Sequence, residues 1–461
     1  MKERNLTELE VLDLAIREES HFFDNKASRV SGRGIQKISV AFANADGGEF
    51  VVGIKDEKEE PDPKLRWDGV PTVEDLNSIF QNLSATQPQV PHQIEILRHP
   101  NDSVAARIFV EKSESVHRTA DSTVYVRKGA QSLPLKDHGD IRALSYAKGE
   151  SSYEDTLVAG AHAEDIFETN EMHSFLENYS PSTDPIDFTI NQNLVDRRSY
   201  DPRTAGILLF SDNPVPLLPR RCGIKISRYD TDLDVPERDH LKEQFTIEGP
   251  LYRQINEAAE RITQIMEAVK VMTPSGLESA KYPPETIWEL LVNAVIHRDY
   301  SISDDIHVLV FNNRIEIASP GKLPGYVTVQ NILDSRFSRN SKIVRMLNKY
   351  TNAPNRDMGE GINTAFQKME EFRLQPPIIS ERNNTVLVVI PHTPLASPQE
   401  QVMEFLEHNE IIKNRQARQV TGIKSENSMK RVFYDLRDNE LIEPIYSQNG
   451  NRIVAWKKFG S

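Results

Sequence analysis

Cysteine is nearly absent from this chain: Cys222 is the single one in 461 residues. That excludes an intrachain disulfide and a cysteine-built metal cluster, and it fits a reducing compartment. Long apolar runs are missing too; none approaches the roughly 18 residues that a membrane-spanning helix needs. The opening Met1-Lys2-Glu3-Arg4-Asn5 leads into mixed charge, not into the apolar core of a secretion signal. These absences predict a cytoplasmic protein with no membrane partner. Positive charge is also short. Lys and Arg total 55 against 69 Asp and Glu, a net charge of −14, so no overall basic field draws the chain to nucleic acid or anionic lipid. Binding of that kind has to come from local patches.

The remaining composition, 38% hydrophobic and 27% charged, is that of a globular protein, and the length suits roughly three domains at about 100–200 residues each. No convincing internal repeat emerges. The pattern divides into regions 1–148, 149–248, 249–392 and 396–461. In the first, 8–19 reads as an amphipathic helix with Leu9, Leu12 and Ile16 at helical spacing. Residues 35–45 read as a second helix closed by Asp46-Gly47-Gly48, with strands at 50–54, 107–110 and 123–127. In the second region, 164–178 reads as a helix and Gly206 to Phe210 as a strand.

The most informative stretch runs from Ile287 to Tyr300. Glu289 and Asn293 stand four residues apart, on one face of a mostly apolar helix. A carboxylate there can orient or deprotonate water, and an amide oxygen can complete a Mg²⁺ shell. A strand at 306–311, a turn at Asn312-Asn313 and a strand at 314–318 follow. Then come two glycine segments, Ser319-Pro320-Gly321-Lys322-Leu323-Pro324-Gly325 and Asp357-Met358-Gly359-Glu360-Gly361-Ile362, suited to backbone contact with phosphates. Lys342 and Arg345, between them, either reach phosphates or lie on a solvated helix.

Glu-x-x-x-Asn-Ala-x-x-His-Arg-Asp-Tyr, then Ser-Pro-Gly-x-Leu-Pro, then Gly-x-Gly-Ile resembles the GHKL-type ATPase module often labelled RecG C-terminal-like. The resemblance implies an α/β sandwich of the Bergerat type that binds ATP with Mg²⁺. It implies Glu289 as the water-activating residue and Asn293 as the Mg²⁺ ligand, with Gly359 and Gly361 in a lid over the triphosphate. Ser319 and Gly321 join them as candidate nucleotide contacts, and His297 and Arg298 either contact phosphate as well or cap and bridge the fold. The chain departs from the wider superfamily at one point. An Asp that reads adenine precedes the first glycine box there, whereas Ser319 precedes Pro320-Gly321 here, so nucleotide binding is implied more directly than adenine selectivity.

Near the N-terminus, Glu19-Ser20-His21-Phe22-Phe23-Asp24-Asn25-Lys26 precedes Ala41-Phe42-Ala43-Asn44-Ala45-Asp46-Gly47-Gly48 and Val52-Gly53-Ile54-Lys55-Asp56. If 22–26 is a strand, Asp24 and Lys26 share a face. An acid two residues before a lysine is a layout that metal-dependent nucleases use, the carboxylates holding the ion and the lysine steadying water or phosphate. The stretch resembles the Schlafen AlbA-like domain, an α/β fold. By position, Glu19 and Asp24, with Asp56 or one of the equally near Glu57, Glu59 and Glu60, match the acids of RNA-cleaving members, with Mg²⁺ or Mn²⁺; other members bind nucleic acid without cutting it. Asn44, Gly47 and Gly48 read as a fold-forming turn.

The last region resembles a winged helix-turn-helix. A helix at 399–408 places Val402, Phe405 and Leu406 inward, helices at 414–420 and 425–436 follow, and strands flank Ser447-Gln448-Asn449-Gly450-Asn451. Lys424, Ser428, Lys430 and Arg431 lie on or just before the expected recognition helix, which meets either DNA or protein.

The whole reads as an α/β and α+β multidomain protein. It is expected to bind ATP and nucleic acid, RNA or DNA, and to form a homo-oligomer. One reading makes it an ATP-controlled metal-dependent nuclease acting on RNA or single-stranded DNA in bacterial anti-phage defence. The alternative is a non-catalytic, ATP-sensing, DNA-binding transcriptional regulator, and a third is a protein-interaction scaffold within a larger complex with a protein partner.

Overall fold

The computed structural model describes residues 2–218, 220–273, 276–280, 282–335, 337–354, 361–392, 398–421, 423, 425–447 and 453–460. The chain divides into two compact units, one running from the N-terminus to 392 and the other from 393 to the end, with residues 373–375 assigned to the second. Among the described residues no helix is long and apolar enough to cross a membrane.

The first unit begins with a five-stranded sheet in the order Lys2–Asn5, His92–Arg98, Val104–Val110, Gly48–Val52, Phe23–Lys26. The edge strand Phe23–Lys26 runs parallel to Gly48–Val52, and the helix Gly32–Ala43 makes the crossover that a parallel pair requires. That helix buries Ile35, Ile38 and Phe42 against Phe50, Val52 and Ile108. Asn44 at its end donates from Nδ2 to the carbonyls of His117 and Tyr125 at 2.8 and 2.9 Å and accepts from the His117 N–H at 2.8 Å. Gly48, with φ of +150°, has no room for a side chain beside Phe42, so this turn serves the fold.

Two expectations change here. The first helix is Glu8–Ile16, and it buries Val11 and Ala15 while Leu9 and Ile16 stay exposed. A capping box, Thr7 with Glu10, holds the helix start where it was expected, and the helix ends at Ile16, short of the expected residue 19. Residues Thr204–Phe210 form a helix, not a strand, with all seven residues buried. A continuous apolar run with no polar face carries no period to separate the two structures.

A second, six-stranded sheet follows the order Ile378–Arg382, Thr385–Pro391, Arg314–Pro320, Ile306–Val310, Ile224–Tyr229, Leu241–Ile247. Only Ile306–Val310 with Ile224–Tyr229 is a parallel pair. The last two strands come from before residue 248, so the sheet crosses the boundary drawn from the sequence. Helices Leu251–Ala268 and Pro284–Ile296 pack with this sheet and with each other as a second layer, and Gly361–Glu371 packs on Pro284–Ile296.

The second unit has helices Pro398–His408, Asn414–Thr421 and Glu426–Asp438, then antiparallel strands Ile442–Tyr446 and Ile453–Lys458. Val402, Leu406, Met429, Phe433 and Trp456 form its core, with Phe433 stacked on Trp456 at 5.1 Å.

Candidate functional site

Pro284 occupies the first turn of the helix Pro284–Ile296, where a missing N–H is harmless. Leu290, Leu291, Val295 and Ile296 are buried, which leaves Glu289 and Asn293 on the other side. The helix end is held by side chains from elsewhere, because its last carbonyls have no partner within the helix. Ser319 Oγ donates to Ala294 O at 2.8 Å, Tyr300 Oη to Val295 O at 3.0 Å, and Asn340 Nδ2 to Ile296 O at 3.0 Å. Asn293 Nδ2 donates back to Glu289 O at 2.6 Å, so the amide oxygen is the atom left for other partners.

Gly361 opens the next helix of this layer. A methyl group there would run into the Glu289 carboxylate and lie 3.5 Å from Asn293 Nδ2. Glu289, Asn293 and Gly361, separated by up to 72 residues, therefore meet at one place. Gly321 has φ of +109°, and a methyl on it would fall 2.7 Å from Asp299 Cβ, so the turn requires glycine.

These residues border a pocket floored by Leu290, Ile317, Val386 and Val388 and walled by the loop 319–327. It shares Asn293, His297, Ser335, Phe337 and Ile362 with a wide cleft of about 1290 Å³ that also contains Glu289 and Gly361. An apolar end joined to a broad polar mouth suits a base and its phosphates. Among the described residues, no carboxylate lines the apolar end. His297 lines both parts. Burial, with Arg339 nearby, lowers its pKa to about 4, which keeps the imidazole neutral at ordinary pH, and Nδ1 is sealed without a partner.

Arg298 takes the structural one of its two expected roles. Its buried guanidinium donates to the carbonyls of Arg221 at 2.6 Å, Ile302 at 3.3 Å and Asp304, and it lines neither part of the pocket. Adjacent helix-end residues point about 100° apart, so Arg298 faces the core where His297 faces the cleft. Lys342 is likewise turned away: its ammonium binds Asp155 and Asn193 O, while Arg345 donates to Gln192 O at 3.5 Å. The Glu154 carboxylate already occupies the start of their helix, accepting from the N–H groups of Lys342 and Ile343 at 2.8 Å each. Cys222 is buried, and burial pushes its pKa up to about 11, which keeps it a neutral thiol. Gly359 lies outside the described residues.

In the N-terminal sheet, Asp24 and Lys26 share a face of the edge strand and touch each other, and Lys26 Nζ donates to Glu19 Oε1 at 3.3 Å. Burial, then hydrogen bonding and repulsion from Asp24, raises the Glu19 pKa. A residue that sequence reasoning saw only as part of a strand completes the cluster. Arg127 Nη1 donates to Asp24 Oδ2 at 2.7 Å, and its Nη2 donates to Ser20 O at 2.8 Å. Asp56 does not join as expected. Its carboxylate accepts from the N–H groups of Lys58 and Glu59 at 2.9 Å each, closing a loop turn. Among the described residues, no three His, Cys, Asp or Glu side chains converge as a metal site. Asp56 thus stands apart from Glu19 and Asp24, and Asp24 already carries two cations, one on each oxygen.

On the helix Glu426–Asp438, Ser428 and Arg431 are exposed, and Lys430 pairs with Glu426 at 2.9 Å. Lys424 lies outside the described residues.

Residues 18–136 match the family model Schlafen, AlbA_2. Residues 303–390 match the model described as "Putative ATP-dependent DNA helicase recG C-terminal". Two separate parts of the chain are thus similar to known families, one to Schlafen AlbA_2 and the other to the RecG C-terminal type. Together they point to an ATP-dependent, nucleic-acid-related function. The second match starts after Glu289 and Asn293, and what joins them to the matched residues is their meeting with Gly361, which lies inside it. No curated protein matches the chain. Among solved structures, the DIP2311 protein from Corynebacterium diphtheriae is similar at 16% identity and a TM-score of 0.42, over 98% of this chain and 96% of that one.

Proposed function

We propose that the chain is an ATP-hydrolysing switch controlling nucleic-acid binding by its Schlafen AlbA_2 domain. The observation that carries this is the convergence of Glu289, Asn293 and Gly361 at the mouth of the apolar pocket. The base enters the apolar end and the phosphates lie in the cleft. Asn293 Oδ1, free of the helix, is the oxygen suited to hold Mg²⁺, which supplies positive charge against the phosphates when bound. Glu289 takes a proton from water as the water oxygen bonds to the γ-phosphorus and the bond to the β-phosphate oxygen breaks, leaving ADP and phosphate.

Calorimetry tests this directly. The wild type should bind ATP with Mg²⁺, and Asn293→Ala should lose about tenfold or more in affinity with Mg²⁺ but little with chelator present. No ATP affinity in the wild type would end the reading.

Ser319 bears on the choice of base. Its proton goes to Ala294 O, so its remaining lone pairs only accept. They match the 6-amino group of adenine and meet a 6-keto oxygen unfavourably. Wild type should prefer ATP over ITP by about tenfold, in line with an unmatched buried polar group at about 1–3 kcal/mol. Ser319→Ala should bring the ratio near one and Ser319→Thr should retain it; an unchanged ratio in Ser319→Ala removes Ser319 from base selection.

For the N-terminal domain, binding is favoured over cleavage because Arg127 and Lys26 neutralise Asp24. Cleavage of RNA or single-stranded DNA in anti-phage defence is the second reading, favoured by Lys26 bridging Glu19 and Asp24. Incubating tRNA, mRNA and single-stranded DNA with Mn²⁺ and ATP separates them, with Lys26→Met as the control. The second unit reads as a winged helix, supported by its order of three helices and two strands and by the Ile412–Trp456 bridge that adds a third strand position.

A further inference from the structure

The loop 321–327 has two faces. One lines the pocket through Gly321, Leu323, Pro324 and Val327. The other is gripped by the Schlafen AlbA_2 domain. Lys112 Nζ donates to the carbonyls of Leu323 and Val327 at 3.0 Å each. Lys322 Nζ donates to Asp46 Oδ2 at 3.0 Å, and the same oxygen meets His21 Nε2 at 3.0 Å. Arg339, deep between the two, donates from Nη2 to Lys322 O at 2.7 Å and to Ala147 O at 3.0 Å. Phe337, a further pocket wall, presses on Gly149 so closely that a methyl there would come within 2.6 Å of the ring.

We infer that Lys112 and Asp46 are positioning residues of the nucleotide pocket and carry its occupancy to the Glu19–Asp24–Lys26 cluster. This rests on the reading that the pocket takes a nucleotide. Lys112 is mostly buried and fixes two carbonyls of one short loop, so the wall cannot move to admit a base without moving Lys112. The loop's only ammonium is tied to Asp46. Asp46 reaches His21, which stands between Glu19 and Asp24 in a segment whose Ser20 and Phe23 carbonyls are held by Arg127. A displacement of the wall therefore has a continuous, hydrogen-bonded route to the acid–lysine cluster. Coupling of this sort is reciprocal: whatever binds the cluster and shifts this segment changes nucleotide affinity by the same factor.

The test uses the full chain and a non-hydrolysable ATP analogue with Mg²⁺. Calorimetry gives affinity, and hydrogen exchange read by mass spectrometry follows the peptides covering 19–24 and 44–48. In wild type the analogue should slow exchange in both by about threefold or more. Asp46→Asn and Lys322→Gln, each saturated with analogue, should lose the response at 19–24. The two substitutions break one contact from opposite domains, so agreement between them separates coupling from a local folding defect. Lys112→Met should weaken the analogue by about tenfold. Bound analogue with an unresponsive 19–24 segment in wild type overturns the coupling alone, as does an undiminished response in both bridge variants. No analogue binding by wild type overturns the coupling and the nucleotide reading together.

Discussion

Glu289→Gln protein should bind ATP about as tightly as wild type and hydrolyse it about 10²–10⁴-fold more slowly, the range that a positioned general base supplies. Gln keeps the shape that Gly361 packs against, so the helix Gly361–Glu371 keeps its start; Ala would leave a gap beside Gly361 and blur the result. Single-turnover hydrolysis with enzyme in excess isolates the chemical step from product release. A rate within about threefold of wild type would remove Glu289 from the chemistry while leaving the binding pocket standing.

Asp24→Ala should destabilise the protein by about 3–5 kcal/mol, because it leaves the fully buried Arg127 guanidinium without its counter-charge. The side chains of Asp24 and Arg127 are only 4% and 1% exposed, so water cannot replace the lost carboxylate. Arg127 keeps its bonds to Ser20 O and Phe23 O, and it lies 4.7 Å over the Phe42 ring, so it cannot swing out to solvent without disturbing the crossover helix. Urea unfolding of the whole chain measures the effect, and a loss below about 1 kcal/mol would show that the pair is not needed for the fold. Replacing both partners, with Asp24→Leu and Arg127→Met, should recover much of the loss. The same reasoning governs how nuclease activity is assigned. Loss of cleavage in Asp24→Ala would report unfolding as readily as a missing ligand. Lys26→Met and Glu19→Gln, at side chains about one third exposed, are the variants that can separate the two.

How much of this was legible in the sequence follows from the range of each interaction. Helical spacing put Glu289 and Asn293 on one face of an apolar helix, and strand spacing put Asp24 beside Lys26; the structure keeps both pairs. Both are contacts within four residues, where backbone geometry alone fixes the neighbour. The glycine segments were legible because backbone conformation restricts residue type, as the positive φ of Gly321 shows. The two domain types were recognisable for the same reason, since their motifs are short and local. Tertiary structure decided the rest. Whether 204–210 is strand or helix depended on burial on every side, and a uniformly apolar run does not encode that. Arg298 and His297 are neighbours in sequence, yet one serves the core and the other the cleft, a division set by the carbonyls of Arg221 and Asp304. Arg127 reaches Asp24 across 103 residues, and Lys322 reaches Asp46 across 276. No local pattern marks such partners, because a charge buried on folding looks in the sequence like any charge left at the surface. The residues of each candidate site thus lie in short motifs, while the charges that hold and connect them were chosen by the packing of distant segments.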